Sequence, residues 1–161
     1  MNMGDQIVVF KLDNNLFGLP VNSVNEIINI QNLSSIPNKP FYVDGITNLR
    51  GRVITVVNLR RRFGFKESNE AITEEKIILI QGTNIGFRVD VVEEIVVPEK
   101  DEILDPDEFQ RDLTESFIWK LFRHNDGVVI VIDPEDIVHR SHLKTEGTNL
   151  ADKINGEALR I

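Results

Sequence analysis

The apolar residues of this chain fall in short runs broken by turn signals, and few of them follow a helical period. Val53–Val57 (VITVV) is β-branched throughout, which suits a pleated surface and crowds a helical turn. Asn58 follows where a helix would be capped, ahead of the basic stretch Leu59–Phe63. Upstream, a glycine turn at Gly45 leads into Asn48-Leu49-Arg50-Gly51, a loop tetrad that sets a guanidinium at the strand's entrance. Asp13-Asn14-Asn15 and Gly82-Thr83-Asn84 supply turn residues between other strand-like runs.

The pattern repeats. Sliding Val8–Ile28 forward by 68 positions lays it on Lys76–Val96 without a gap. Gly18 meets Gly86, Val21 meets Val89, Val24 meets Val92, Glu26 meets Glu94 and Ile27 meets Ile95. At an offset of 75, Val53–Val57 and Asn58 meet Val128–Ile132 and Asp133, each a β-branched strand ending in a capping residue. Many short strands with little helix predict an all-β protein made of small antiparallel barrels. A half of about 70 residues is marginal alone, so two halves, roughly 7–66 and 75–139, are expected to pack together and share apolar surface. Residues 140–161 form a tail in which Leu150, Ile154 and Ala158 suggest a short helix, too short to be stable by itself.

Composition narrows the function more than the fold. The 161 residues contain no cysteine, which removes disulfides and thiolate metal sites. The N-terminus has no signal-peptide pattern and no apolar run approaches membrane-spanning length, so a cytoplasmic protein is expected. A net charge of −8 argues against bulk nucleic-acid binding. That charge is uneven: residues 45–66 carry Arg50, Arg52, Arg60, Arg61, Arg62 and Lys66 with no acid, whereas 99–115 is an acidic loop. Separated charge of this kind is either two solvated faces or complementary docking surfaces.

Candidate chemistry is sparse. His139 and His142 have a helical metal spacing but no evident third ligand, and His124-Asn125-Asp126 reads as a hairpin turn. No serine lies in a nucleophile elbow, and Glu93-Glu94 would point to opposite faces of a strand. Neither an enzyme nor a bound cofactor or metal is expected. A small-barrel nucleic-acid reading of Arg60-Arg61-Arg62 would need stacking platforms beside it. Phe63 and Phe65 are the only candidates, and they are expected to plug a barrel end.

The run Gly45-Ile-x-Asn-Leu-Arg50-Gly51, with Phe10-x-Leu12, Phe17-Gly18-Leu19, Val24-x-Glu26-Ile27 and Ile36-Pro37, resembles CheW, the coupling-protein family of bacterial chemotaxis. The resemblance covers residues 7–139. It implies two pseudo-symmetric SH3-like five-stranded barrels facing each other, with short helical turns. It also implies a non-catalytic adaptor joining the cytoplasmic tip of a chemoreceptor to the regulatory domain of the histidine kinase CheA. An adaptor for a CheA-like kinase in surface motility would look the same. By the resemblance, Val8, Val21, Val24 and Val92 line a groove at the seam that suits an amphipathic helix. Glu26, Gly45 and Arg50 complete the receptor-binding set, and no kinase-binding residue is nominated. One departure is Trp119-Lys120, which stands where Asp44-Gly45 falls in the first half and where the family usually has glycine.

Overall fold

A computed structural model of the chain describes residues 6–68, 70–104 and 117–140. The tail helix suggested at Leu150, Ile154 and Ala158, His142, and the part of the acidic loop after Leu104 up to 116 lie outside the described residues. The strands are β1 (Ile7–Leu12), β2 (Asn15–Pro20), β3 (Val24–Asn29), β4 (Val43–Leu49), β5 (Arg52–Asn58), β6 (Lys76–Ile80), β7 (Ile85–Val89), β8 (Val91–Val96), β9 (Ile103–Leu104), β10 (Ile118–His124) and β11 (Gly127–Ile132). Two short helices, α1 (Leu59–Arg62) and α2 (Pro134–Arg140), follow β5 and β11. The Asn58 side chain caps α1 by accepting the Arg61 N–H at 3.2 Å.

Three strands depart from the sequence reading. The glycine turn expected at Gly45 lies inside β4, and its counterpart β10 was likewise not anticipated. The acidic loop begins with a 3-10 turn at Lys100–Glu102, held by a Glu99/Glu102 capping box, and then forms β9.

The strands form two sheets, ordered β8-β1-β2-β11-β10-β9 and β3-β6-β7-β5-β4. The sheets do not follow the halves 7–66 and 75–139. One sheet is built wholly from residues 24–89, and the other from the strands on either side of that segment. Among the described residues the chain therefore crosses between sheets twice, at Val21–Ser23 and at Asp90. The physical reason is pairing: the β1–β2 hairpin reaches β8 and β11, while the β6–β7 hairpin reaches β3 and β5.

The repeat itself is plain in the topology. Exchanging each strand for its counterpart (β1 for β6, β2 for β7, β3 for β8, β4 for β10, β5 for β11) converts one five-strand order into the other. The bulged residues Asn25 and Glu93 are counterparts, as are Asp44 and Trp119. Each barrel is closed at β4 or β10, by the Ser34–Ile46 bridge in one and by β9 in the other.

Three apolar clusters hold this together. Ile54, Val56, Ile77 and Leu79, with Ile28 and Leu49 against them, belong to one sheet. Ile7, Val9, Phe122, Val129 and Val131 are the matching set of the other. The opposite faces of the same strands meet in the largest cluster, which draws on both sheets. There Phe63, from the segment after α1, stacks between Phe17 and Phe117 at 5.4 and 5.1 Å, so each barrel contributes to the other's core.

Candidate functional site

The turn between β4 and β5 is two residues long, since Leu49 pairs with Arg52. Both turn residues have positive φ, 50° at Arg50 and 82° at Gly51, the geometry that matches the twist of the flanking strands. Asn48 Oδ1 accepts the Gly51 N–H at 3.0 Å. Arg52 donates across to the β6–β7 turn, to the Thr83 carbonyl at 2.9 Å and to Asn84 Oδ1 at 2.8 Å. The tip is thus anchored from two sides, while the Arg50 side chain is 67% exposed.

Arg50 forms an ion pair with Glu26 on β3. Two site residues nominated 24 positions apart are brought together, across the closure of one barrel. The second barrel carries the matching arrangement: Glu94, counterpart of Glu26, meets His124 at 2.6 Å beside the β10–β11 turn. That turn is Asn125-Asp126, with φ of 48° and 63°, as its residue types predicted.

The apolar nominees divide. Val21, Val24 and Val92 are partly exposed, and Val24 and Val92 pack on the shared core. All three lie within three residues of a crossover between the barrels. Val8 does not fit the expectation of an accessible groove residue. It is only 2% exposed, because β1 is an inner strand with Leu19 on one side and Ile95 on the other. Gly45 is buried as well. Its φ is +150°, and a Cβ there would come within 2.5 Å of the Ser34 carbonyl oxygen, so it serves the barrel closure and offers no side chain. Beside these residues Ile27 and Val53 are exposed, and Asn48 and Arg52 anchor the turn. Burial alternates along β3, and Ile27 is the isoleucine on its exposed face between Asn25 and Asn29.

The basic stretch is largely neutralised internally. Arg60 pairs with Asp90, and both are buried. Arg61 bonds Glu67 at 2.7 Å and Asp44 at 3.3 Å. Arg62 lies over the rings of Tyr42 and Phe117, 5.6 and 5.7 Å from their centroids. Arg88 holds Glu75 through two nitrogens and Asp44 through a third, and the Glu75 carboxylate raises the Arg88 pKa above its usual value. Phe63 and Phe65 are 0% and 6% exposed, so neither is a stacking platform for a base.

Among the described residues, no group of three or more His, Cys, Asp or Glu is placed to hold a metal ion. Glu93 and Glu94 have separate partners, Lys11 and His124. A cavity of about 580 Å³ lies at the β10–β11 tip, away from Arg50, and its lining of Glu102, Arg123, His124 and Asp126 mixes both charges. No helix among the described residues is long and apolar enough to cross a membrane.

Two small barrels that share one core, with partly exposed valines at the crossovers and an exposed guanidinium at one barrel rim, define a two-barrel all-β module. The chain belongs to the CheW family: the CheW-like domain matches residues 6–142. It is 26% identical to the chemotaxis protein CheW of Treponema pallidum over 91% of this chain and 87% of that protein. It is also 26% identical to the chemotaxis protein CheW of Bacillus subtilis, over 85% and 88% of the two chains. The crystal structure of the scaffolding protein TtCheW from Thermoanaerobacter tengcongensis is similar with a TM-score of 0.70 and 30% identity, covering 80% of this chain and 88% of that one. The family is one of non-catalytic scaffolds in chemotaxis, in agreement with the adaptor reading and the SH3-like two-barrel expectation.

Proposed function

We propose that this protein is a cytoplasmic adaptor that couples the tip of a chemoreceptor to the histidine kinase CheA, and that the receptor docks along the seam at Val21, Val24 and Val92. Arg50 and Glu26 form the polar rim of that surface, while Val8 and Gly45 support it from within. A receptor helix would lay its apolar face on the valines and offer a carboxylate or carbonyl to the forked guanidinium. As coupled binding equilibria, occupancy at the seam then biases the kinase without any chemistry on the adaptor.

The observation that carries this reading is the placement of Arg50. It occupies a left-handed turn position that suits Asn or Gly, and the counterpart position in the other barrel holds Asn125. The left-handed turn does not favour an arginine and the exposed pair with Glu26 adds little stability, so the residue is better explained by what it meets outside the chain. Arg50→Glu tests this by titration calorimetry against a receptor hairpin fragment and against the kinase regulatory domain separately. Losing one partner of a charged contact that is desolvated on binding costs about 2–5 kcal/mol. The expected result is a loss of that size toward receptor, with kinase binding and melting temperature nearly unchanged. Equal loss toward both partners would indicate a folding role, and undiminished receptor binding would sink the assignment.

A further inference from the structure

We propose that the buried Arg60–Asp90 pair is a positioning lock, which fixes the angle between the two barrels and so the shape of the seam, without itself touching a partner.

The pair sits at a crossover. Asp90 is the single residue between β7 of one barrel and β8 of the other. Its Oδ2 accepts the Asp13 N–H at 2.7 Å, from the β1–β2 turn of one barrel, and also Arg60 Nη1, from α1 of the other. The Asp90 N–H donates to the Lys11 carbonyl at 3.1 Å. Arg60 Nη2 continues to the Lys66 carbonyl and lies 3.6 Å from the exposed Asp13 carboxylate. The Arg60 and Asp90 side chains are only 10% and 8% exposed.

The hydrophobic drive between the barrels is non-directional, and their shared core sets the approach through close packing. Charge-assisted hydrogen bonds in a water-poor site add a directional constraint on the angle. The lock is also one-sided. The counterparts of Asp90 and Arg60 are Asn22 and Glu135, both exposed. At the other crossover backbone bonds extend each barrel's own ladder into the linker, from the Val21 N–H to the Gln6 carbonyl and from the Gln81 N–H to the Ser23 carbonyl, each 2.8 Å. Val92 stands two residues from Asp90, so a change of angle at the lock moves one wall of the seam directly.

Burial raises the Asp90 carboxyl above its ordinary range, although the Asp13 N–H and Arg60 pull the other way and Glu75 adds to the rise. A buried ion pair is weak evidence for stability, and the Asp90 bonds to elements of both barrels are better explained by specified geometry.

The chain has no cysteine, so spin labels can be placed singly, at Gln81→Cys in one barrel and Arg123→Cys in the other, both exposed positions. Pulsed dipolar spectroscopy on the full chain should give a narrow distance distribution that broadens in Asp90→Asn and also in Arg60→Gln/Asp90→Asn. The double variant removes both buried charges and leaves only the exposed Asp13 carboxylate without Arg60, so it separates positioning from folding. The effect on binding rests on the receptor reading above: affinity for a receptor hairpin fragment should fall at least fivefold in both variants. Arg50→Glu should lose binding while keeping the narrow distribution. Unchanged distributions in both Asp90 variants would overturn the lock. So would broadened distributions with full receptor affinity, given a wild type that binds. If the wild type fails to bind receptor at all, the proposed function falls, and the distance measurement still decides the lock.

Discussion

Arg50 shows how one residue can serve the surface at the expense of the turn that carries it. A left-handed backbone on a non-glycine residue costs of the order of 1–3 kcal/mol, less for Asn, which bonds locally in that conformation. Its pairing with Glu26 returns little, because an exposed ion pair is typically worth about 0–1 kcal/mol. Arg50→Asn should therefore raise the stability measured by urea unfolding by about 0.5–1 kcal/mol, as the left-handed strain is relieved. The same variant should weaken receptor binding, and a loss of stability instead would mean that the Glu26 pair supports the fold. At this scale the resemblance named Arg50 and Glu26 together, and the structure brings the two side chains into contact. The sequence misled at Val8, because a valine in a strand looks the same whether a second strand covers it or not. It was silent on Asp90, whose partner lies 30 residues away and whose burial depends on the meeting of two barrels.

Strands were legible in proportion to how continuously apolar they are. β1, β5, β6 and β11 are β-branched or aliphatic on both faces, because each lies between a barrel interior and the shared core. β4 escaped notice because Asp44 and Gly45 sit at its bulge and Thr47-Asn48 interrupts its apolar run. β9 is two residues long inside an acidic stretch. The paired glycines mark where the barrels are tightest. A Cβ on Gly18 would stand 2.5 Å from Ile7 Cγ2, and one on Gly86 would stand 2.5 Å from Ile77 Cγ2 and 3.1 Å from Leu79 Cδ2. Neither Cγ2 lies at the far end of a flexible side chain, so the strands themselves must separate. Gly18→Ala and Gly86→Ala should each destabilise by about 1–3 kcal/mol through overpacking, read as a lower urea midpoint with an unchanged slope. Near-neutral effects would show that the interiors have slack, against the close fit described here.

The molecule as a whole is less divisible than its repeat suggests. Two halves of sequence invite a picture of two independent barrels, but one barrel is inserted into the chain of the other, and its Phe63 is sandwiched between phenylalanines of its neighbour. The duplication could be read from spacing alone. Which hairpin joins which sheet could not, since both hairpins present the same pattern to either partner and only the three-dimensional pairing chooses. This arrangement predicts a single unfolding unit. The chain has one tryptophan, Trp119 in β10, and one tyrosine, Tyr42 beside β4, so each barrel carries its own spectroscopic probe. Trp119 fluorescence selectively excited, Tyr42 resonances in NMR spectra and backbone circular dichroism should trace the same urea curve, with equal midpoints and slopes. An excised fragment of residues 24–89 should fail to fold, because it would expose the apolar layer that Phe17, Phe117 and their neighbours cover. Separate midpoints for Trp119 and Tyr42, or a fragment with dispersed amide resonances, would show that the barrels are autonomous and that their shared core is a contact between finished domains.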